Sequence, residues 1–272
     1  MINKKFSLKN KFCLITGAAG LLGLEHAKAI LEIEGNIILT DKDVLKLKKK
    51  IKELKFYFSN SKIYYYKMDV TKPKEIKGVF NKLVKNKIDI DILINNAAID
   101  SKVIAGKKSK TNKFESFSLN EWEKQISVGL TGSMLCSQVF GAQMSKRKKG
   151  VILNIASDLS ILAPDQRLYS VSKKKKSFKP VTYSVIKHGL IGLTKYISTY
   201  WPEKNIRCNS LSPGSVNHEQ SLIFKKKIKK LIPLNRMADK DEYKSAVQFL
   251  CSDASSYMTG QNLIIDGGRS IW

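Results

Sequence analysis

Residues 12–33 read FCLITGAAGLLGLEHAKAILEI, and the fold turns on how that stretch divides. FCLIT is a short, continuous apolar run of buried-strand length. TGAAGLLG then sets glycines at 17, 20 and 23, and LLGLEHAKAILEI continues with helical apolar spacing. Strand, glycine turn and helix in that order is the context of a dinucleotide-binding turn. Glycine lets the backbone approach a pyrophosphate, and the helix N-terminus offers free N–H groups and a positive dipole end. Three glycines also occur in ordinary turns, so the rest of the chain must support the reading.

The chain repeats the same alternation. NIILT is a second buried strand ending at Asp41, and VLKLKKKIKELKFYF is an amphipathic helix with its lysines outward. KIYYYKMDV, DILIN, GVILNIAS, IRCNSLS and NLIIDGG read as further strands. PKEIKGVFNKLVKN, VTYSVIKHGLIGLTKYISTYW and DEYKSAVQFLCS read as helices. SLNEWEKQISVGLTGSMLCSQVFGAQM reads as one long helix opened by a capping box at Ser118 and Glu121. Continuous apolar strands indicate a sheet covered on both faces. Repeated β–α–β units indicate an α/β fold with a doubly wound parallel, Rossmann-type sheet. With no repeat and no Gly/Ser linker, residues 1–272 form a single domain. Segments 99–116, 159–180 and 215–235 break the rhythm. Each follows a strand at its carboxyl end, the edge where open α/β sheets bind ligands.

Asp41 closes the second strand, where a carboxylate can accept ribose hydroxyls and repel a 2′-phosphate. That favours NAD over NADP. The bland alternative is a helix cap, and Lys42 next door works against the preference.

The formal net charge is +26, yet only five of the 49 basic residues are arginine. Base readout favours arginine's planar fork. Lysines in runs such as KLKKK and KKKIKK fit a solvated surface that attracts anionic small molecules, not nucleic acid. Cys13, Cys136, Cys208 and Cys251 are far apart and flanked by apolar residues, so they read as reduced core residues with no metal site. The chain shows no secretory leader and no membrane span, and a cytoplasmic location is the expectation.

Tyr-x-x-x-Lys occurs twice, at Tyr169/Lys173 and Tyr183/Lys187. On a helix, positions i and i+4 share a face, so a lysine can act on a tyrosine phenol. HGLIGLTKYISTYW follows Lys187 with a strong apolar face. Three more lysines and Pro180 follow Lys173, which leaves that helix nothing to bury.

TGAAGLLG, MDV at 68–70, NNAA at 95–98, Tyr183-x-x-x-Lys187, SPG at 212–214 and IDGG at 265–268 occur in that order. Together they resemble the short-chain dehydrogenase/reductase family over nearly the whole chain. The resemblance implies an NAD-dependent oxidoreductase that interconverts an alcohol and a ketone by hydride transfer. It implies Ser157, Tyr183 and Lys187 as the catalytic groups. It implies cofactor contacts from Gly17, Gly20, Leu22, Gly23, Asp41, Asp69, Val70, Asn95, Ala97, Tyr183, Lys187, Pro213, Gly214 and Val216. Tyr169 and Lys173 then belong to an insertion that could still touch substrate. A homo-oligomer, tetramer or dimer, is implied through the long helices at 118–145 and 182–201.

The sequence departs from the family pattern in three places. Gly129 stands where an asparagine of the proton relay is usual, so a water or a helix irregularity is expected there. The middle glycine of the turn comes one residue early, and His218 replaces a usual threonine. With ASDLS and APDQRLY, these features resemble a branch named for flagellin modification and surface-sugar biosynthesis, which implies a phosphorylated or nucleotide-linked sugar as substrate. The competing reading, motivated by Gly129, is an NAD-binding protein with weak or lost turnover acting as a sensor or scaffold.

Overall fold

The computed structural model describes residues 3–99, 112–170 and 177–272. The strands are β1 (Phe12–Thr16), β2 (Asn36–Asp41), β3 (Ile63–Lys67), β4 (Ile92–Asn95), β5 (Gly150–Ile155), β6 (Ile206–Pro213) and β7 (Asn262–Ile265). They form one sheet in the order β3-β2-β1-β4-β5-β6-β7. Every pairing is parallel. The order reverses between β1 and β4, so the connections leaving their carboxyl ends diverge and open a crevice. The result is the single-domain, Rossmann-type α/β fold read from the sequence.

Alternate strand residues feed two cores. Cys13, Ile15, Ile37 and Leu39 pack on one face with α1 (Leu21–Glu32), α2 (Val44–Tyr57) and α8 (Lys244–Cys251). Leu14, Ile38, Leu93 and Ile152 pack on the other with α3 (Pro73–Lys85), α5 (Gly132–Arg147) and α6 (Val181–Tyr200). Successive side chains point to opposite faces, so a strand covered on both sides must be apolar at every position. In α2, Leu47, Ile51 and Leu54 are the buried stripe, and Asp43 caps the helix by accepting from the Lys46 N–H. All four cysteines are buried and free. Among the described residues, no helix is long and apolar enough to cross a membrane.

Three local expectations need correction. The long helix after residue 118 is interrupted: α4 (Leu119–Ile126) runs into a π turn at Ser127–Thr131 before α5 begins. Ser118 occupies the N-cap of α4, but its side chain makes no cap bond, so the capping box does not form. Residues 215–235 contain a helix, α7 (Leu222–Lys229), hidden in sequence by its lysines. Phe224 and Ile228 anchor it against Leu168, Tyr169, Ile232 and Met237. The rest of the two insertions at 100–111 and 171–176 lies outside the described residues.

His26 in α1 is wholly buried, and neither ring nitrogen has a hydrogen-bond partner. Burial penalises the charged imidazolium and lowers its pKa from 6.5 to about 4. Between those values the unfolded chain binds a proton that the folded chain refuses. Folding stability therefore falls as pH drops from 6.5 towards 4, by about 3 kcal/mol for a shift of this size. His26→Leu is expected to flatten this part of the stability–pH curve in urea titrations. An unchanged slope would place the acid sensitivity elsewhere.

Candidate active site

The crevice at the carboxyl edge is a cleft of roughly 600 Å³. One end is built by the glycine turn. Gly17 has φ +60, and a Cβ there would lie 2.7 Å from the Ala97 Cα, so only glycine lets these two segments approach. Gly20 is the N-cap of α1 and has no side chain to cover the helix end. A Cβ on Gly23 would come within 2.7 Å of the Ala18 Cα, so this glycine seats α1 against the turn instead of lining the cleft. Asn96 braces the turn: its Nδ2 donates to the Thr16 and Gly17 carbonyls, both at 3.0 Å.

Asp41 also lines the cleft. Its carboxylate accepts from the Ala19 N–H and the Asp43 N–H, each at 2.9 Å, which fixes its orientation beside the turn. The helix-cap role belongs to Asp43. Burial pulls the Asp69 carboxyl up, but hydrogen bonds from Thr71 and the charges of Lys72 and Lys42 hold it below its ordinary value. Leu22, Asp69, Val70, Ala97, Pro213, Gly214 and Val216 line the cleft. Asn95 does not. Its side chain turns inward and donates to Ser137 Oγ (3.0 Å) and Asn154 Oδ1 (2.8 Å). The side chain facing the cleft is its neighbour's, Asn96, because consecutive residues leaving a strand point to opposite sides.

Ser157, Tyr183 and Lys187 line the same cleft, beyond the end of β5. Lys187 is buried, and its ammonium donates to the Ile155 carbonyl at 2.8 Å, joining α6 to the end of β5. The same ammonium lies 5.6 Å from the centre of the Tyr183 ring. Thr182, fully buried beside Tyr183, donates to Gln125 Oε1 and ties the first turn of α6 to α4. At the π turn, a Cβ on Gly129 would meet Ile186 Cγ2 at 2.7 Å, so an isoleucine of α6 fills the space of the missing side chain. The irregularity expected at Gly129 is present. Tyr169 does not lie within an α-helix. It ends a 3-10 turn, is buried against Phe224, and still lines the cleft. Lys173 lies outside the described residues.

Sequence reading missed a buried charge chain. Ser157 Oγ lies 2.8 Å from Asp158 Oδ1, and Arg269 donates to Asp158 Oδ2 at 2.6 Å. A carboxylate paired with arginine is an acceptor only, so the Ser157 hydroxyl is the donor in their bond. The Leu159 N–H donates to Ser157 Oγ at 3.2 Å, which further fixes it. Asp158 stands next to the expected serine and Arg269 follows IDGG, but no local pattern links residues so distant in sequence. Lys179 was missed too: its ammonium sits 3.8 Å from the Tyr183 ring centre.

The family model described as enoyl-(acyl carrier protein) reductase matches residues 17–270. The chain belongs to the short-chain dehydrogenase/reductase family. Its activity class is that of an NAD(P)-dependent oxidoreductase. An NAD-dependent glycerol dehydrogenase of Listeria innocua is 30% identical over 99% of this chain and 97% of that relative. A short-chain dehydrogenase of Leptospira borgpetersenii, solved with bound NAD+, superposes with a TM-score of 0.84 at 30% identity, covering 100% of this chain and 97% of that one. A gluconate 5-dehydrogenase of Burkholderia cenocepacia, solved with NADP and tartrate, gives a TM-score of 0.84 at 26% identity, covering 98% and 97%.

The Asp158–Arg269 pair is expected to behave as a buried ion pair. Asp158→Ala, which strands the guanidinium, should lose about 3–5 kcal/mol of unfolding free energy. Asp158→Ala with Arg269→Met should recover much of that loss. A loss below about 1 kcal/mol in the single variant, the range of exposed pairs, would mean that the site is open to water.

Proposed function

We propose that this short-chain dehydrogenase/reductase interconverts a secondary alcohol and a ketone with NAD, on a sugar or polyol that carries an anionic group. Ser157, Tyr183 and Lys187 are its catalytic residues. The observation that supports the reading is a single cleft lined both by these three and by the glycine turn and Asp41.

The cradle suits a dinucleotide: a Cβ at Gly17 would collide with Ala97, and the N-cap of α1 carries no side chain. Gly17, Gly20, Leu22, Asp41, Asp69, Val70 and Ala97 would hold the adenosine and pyrophosphate part. Lys187, Pro213, Gly214 and Val216 would hold the nicotinamide part. The cofactor supplies the hydride chemistry. The chain supplies alignment and proton transfer. A free phenol titrates near pH 10, and each unit that a neighbouring cation lowers it is worth about 1.4 kcal/mol. Lys187 stabilises the phenolate of Tyr183, which takes the proton from the substrate hydroxyl and returns it in the reverse direction. The Ser157 hydroxyl donates a hydrogen bond to Asp158, so it must swing off Asp158 to donate to the substrate oxygen, leaving the substrate's one hydroxyl proton to Tyr183.

Asp41, oriented by two backbone N–H groups, supports the NAD preference against Lys42. The relatives fit polyhydroxy substrates: glycerol for the Listeria enzyme, and gluconate, with tartrate bound, for the Burkholderia one. An excess of positive charge draws anionic metabolites, and a phosphorylated or nucleotide-linked sugar of surface-glycan synthesis is the class we favour. The protein would work in the cytoplasm as a dimer or tetramer. Exposed Tyr196 and Tyr200, stacked at 5.7 Å on α6, offer part of the contact face.

With NAD+ and a panel of polyols, aldonates and sugar phosphates, Tyr183→Phe should lose about 10²–10⁴-fold in turnover while binding NAD as before. Wild-type protein that binds NAD but turns over nothing on the panel would favour the sensor reading. NAD should be preferred to NADP by about tenfold or more in kcat/KM. Asp41→Ser, which frees Lys42 to meet a 2′-phosphate, should narrow that ratio, a loss of about 1.4 kcal/mol of discrimination per tenfold. An unchanged ratio would remove Asp41 from cofactor selection.

A further inference from the structure

Lys179 precedes Tyr183 by the same interval at which Lys187 follows it. The two lysines reach the phenol by different routes. Lys187 lies on the same face of α6, one turn on. Lys179 lies before the helix, since α6 starts at Val181 after its N-cap Pro180. Its backbone N–H donates to Gln166 Oε1 at 2.9 Å, which pins the strap to the 3-10 turn at Gln166–Leu168. The side chain then lays its ammonium against the Tyr183 ring, 3.8 Å from the centre, closer than the 5.6 Å of Lys187. A cation on the ring face gains from the π quadrupole. A charge against the ring also acts on the phenol oxygen that the ring carries.

We infer that Lys179 is a positioning residue that joins Lys187 in lowering the Tyr183 phenol into the working pH range. This deepens the proposed function, because it rests on proton transfer by Tyr183. Among the described residues, the other charged groups lining this end of the cleft are Asp158 after β5, Arg269 from the C-terminal turn, and His218 and Glu219 after β6. Asp158 is compensated by Arg269 at 2.6 Å, and Glu219 lies 3.5 Å from His218 Nε2. The two ammonium groups are the charges that lie against the Tyr183 ring itself, at 3.8 and 5.6 Å from its centre. By sign, each cation favours phenolate, so removing one raises the pKa. The fraction ready to accept a proton at a fixed pH below that value then falls about tenfold per unit.

The test reads the phenol itself, without substrate. The chain has ten tyrosines, few enough for Cζ carbon-13 labelling, and the Tyr183 resonance is the one lost in Tyr183→Phe. Titration with NAD bound is expected to show the Tyr183 pKa about one unit higher in Lys179→Met. Lys179→Arg, which keeps the charge and can still stack on the ring, should stay near wild type. An unshifted pKa in Lys179→Met would overturn the inference. So would equal shifts in both variants, which would mean a structural effect. If Lys179→Met instead raised KM for acidic substrates alone and left the titration unmoved, the lysine would be an anion-binding group and the inference would fail. Full activity in Tyr183→Phe would sink the proposed function separately, whatever the titration gives.

Discussion

A buried ammonium persists only if it is hydrogen-bonded, since an isolated charge out of water changes its protonation or its place. Lys187 meets that demand at the Ile155 carbonyl. Ile155 ends β5 and pairs with Leu211 of β6, so its carbonyl is held in place by the sheet. The bond therefore sets the height of α6 on the carboxyl edge. Tyr183, one turn earlier on the same face, is carried with it to the end of the cleft facing the glycine turn. The buried Thr182–Gln125 bond and Ile186 seated against Gly129 hold the same helix from the other side. Gly129 thus has a packing reason: with Ile186 where it is, no larger residue fits the π turn.

The fold was legible because two-sided burial leaves a mark at every strand position. Runs such as NIILT and GVILNI cannot alternate when both faces are covered, and the glycine turn fixes which strand comes first. The difference in setting between Tyr183 and Tyr169 was legible for a related reason. Only the helix after Lys187 has an apolar face to bury, and Tyr169 sits in a short turn wedged against Phe224. Asn95 was misread because one residue of register at the end of a strand turns a side chain from the cleft to the core. α7 was missed because three of its lysines cluster in its last turn and mask the two residues that anchor it.

The pairing of Asp158 with Arg269 had no signature at all. It joins the end of β5 to the C-terminal turn, a contact made by tertiary folding and by no local period. Lys179 was equally silent, being one lysine among many. Yet the cleft does not simply repeat the excess charge of the chain. Asp158 is matched by Arg269, and Asp41 is engaged by backbone amides. The wider positive field bears on the approach of substrate, while geometry at Tyr183 bears on its chemistry.

The most direct measurement is a crystal structure of the protein with NAD bound. The account predicts the adenosine end at Asp41 and the nicotinamide end between Tyr183 and Pro213–Gly214, with the Lys187 ammonium on the adjoining ribose. A nicotinamide ring lying against Tyr169, with Tyr183 facing away, would contradict it.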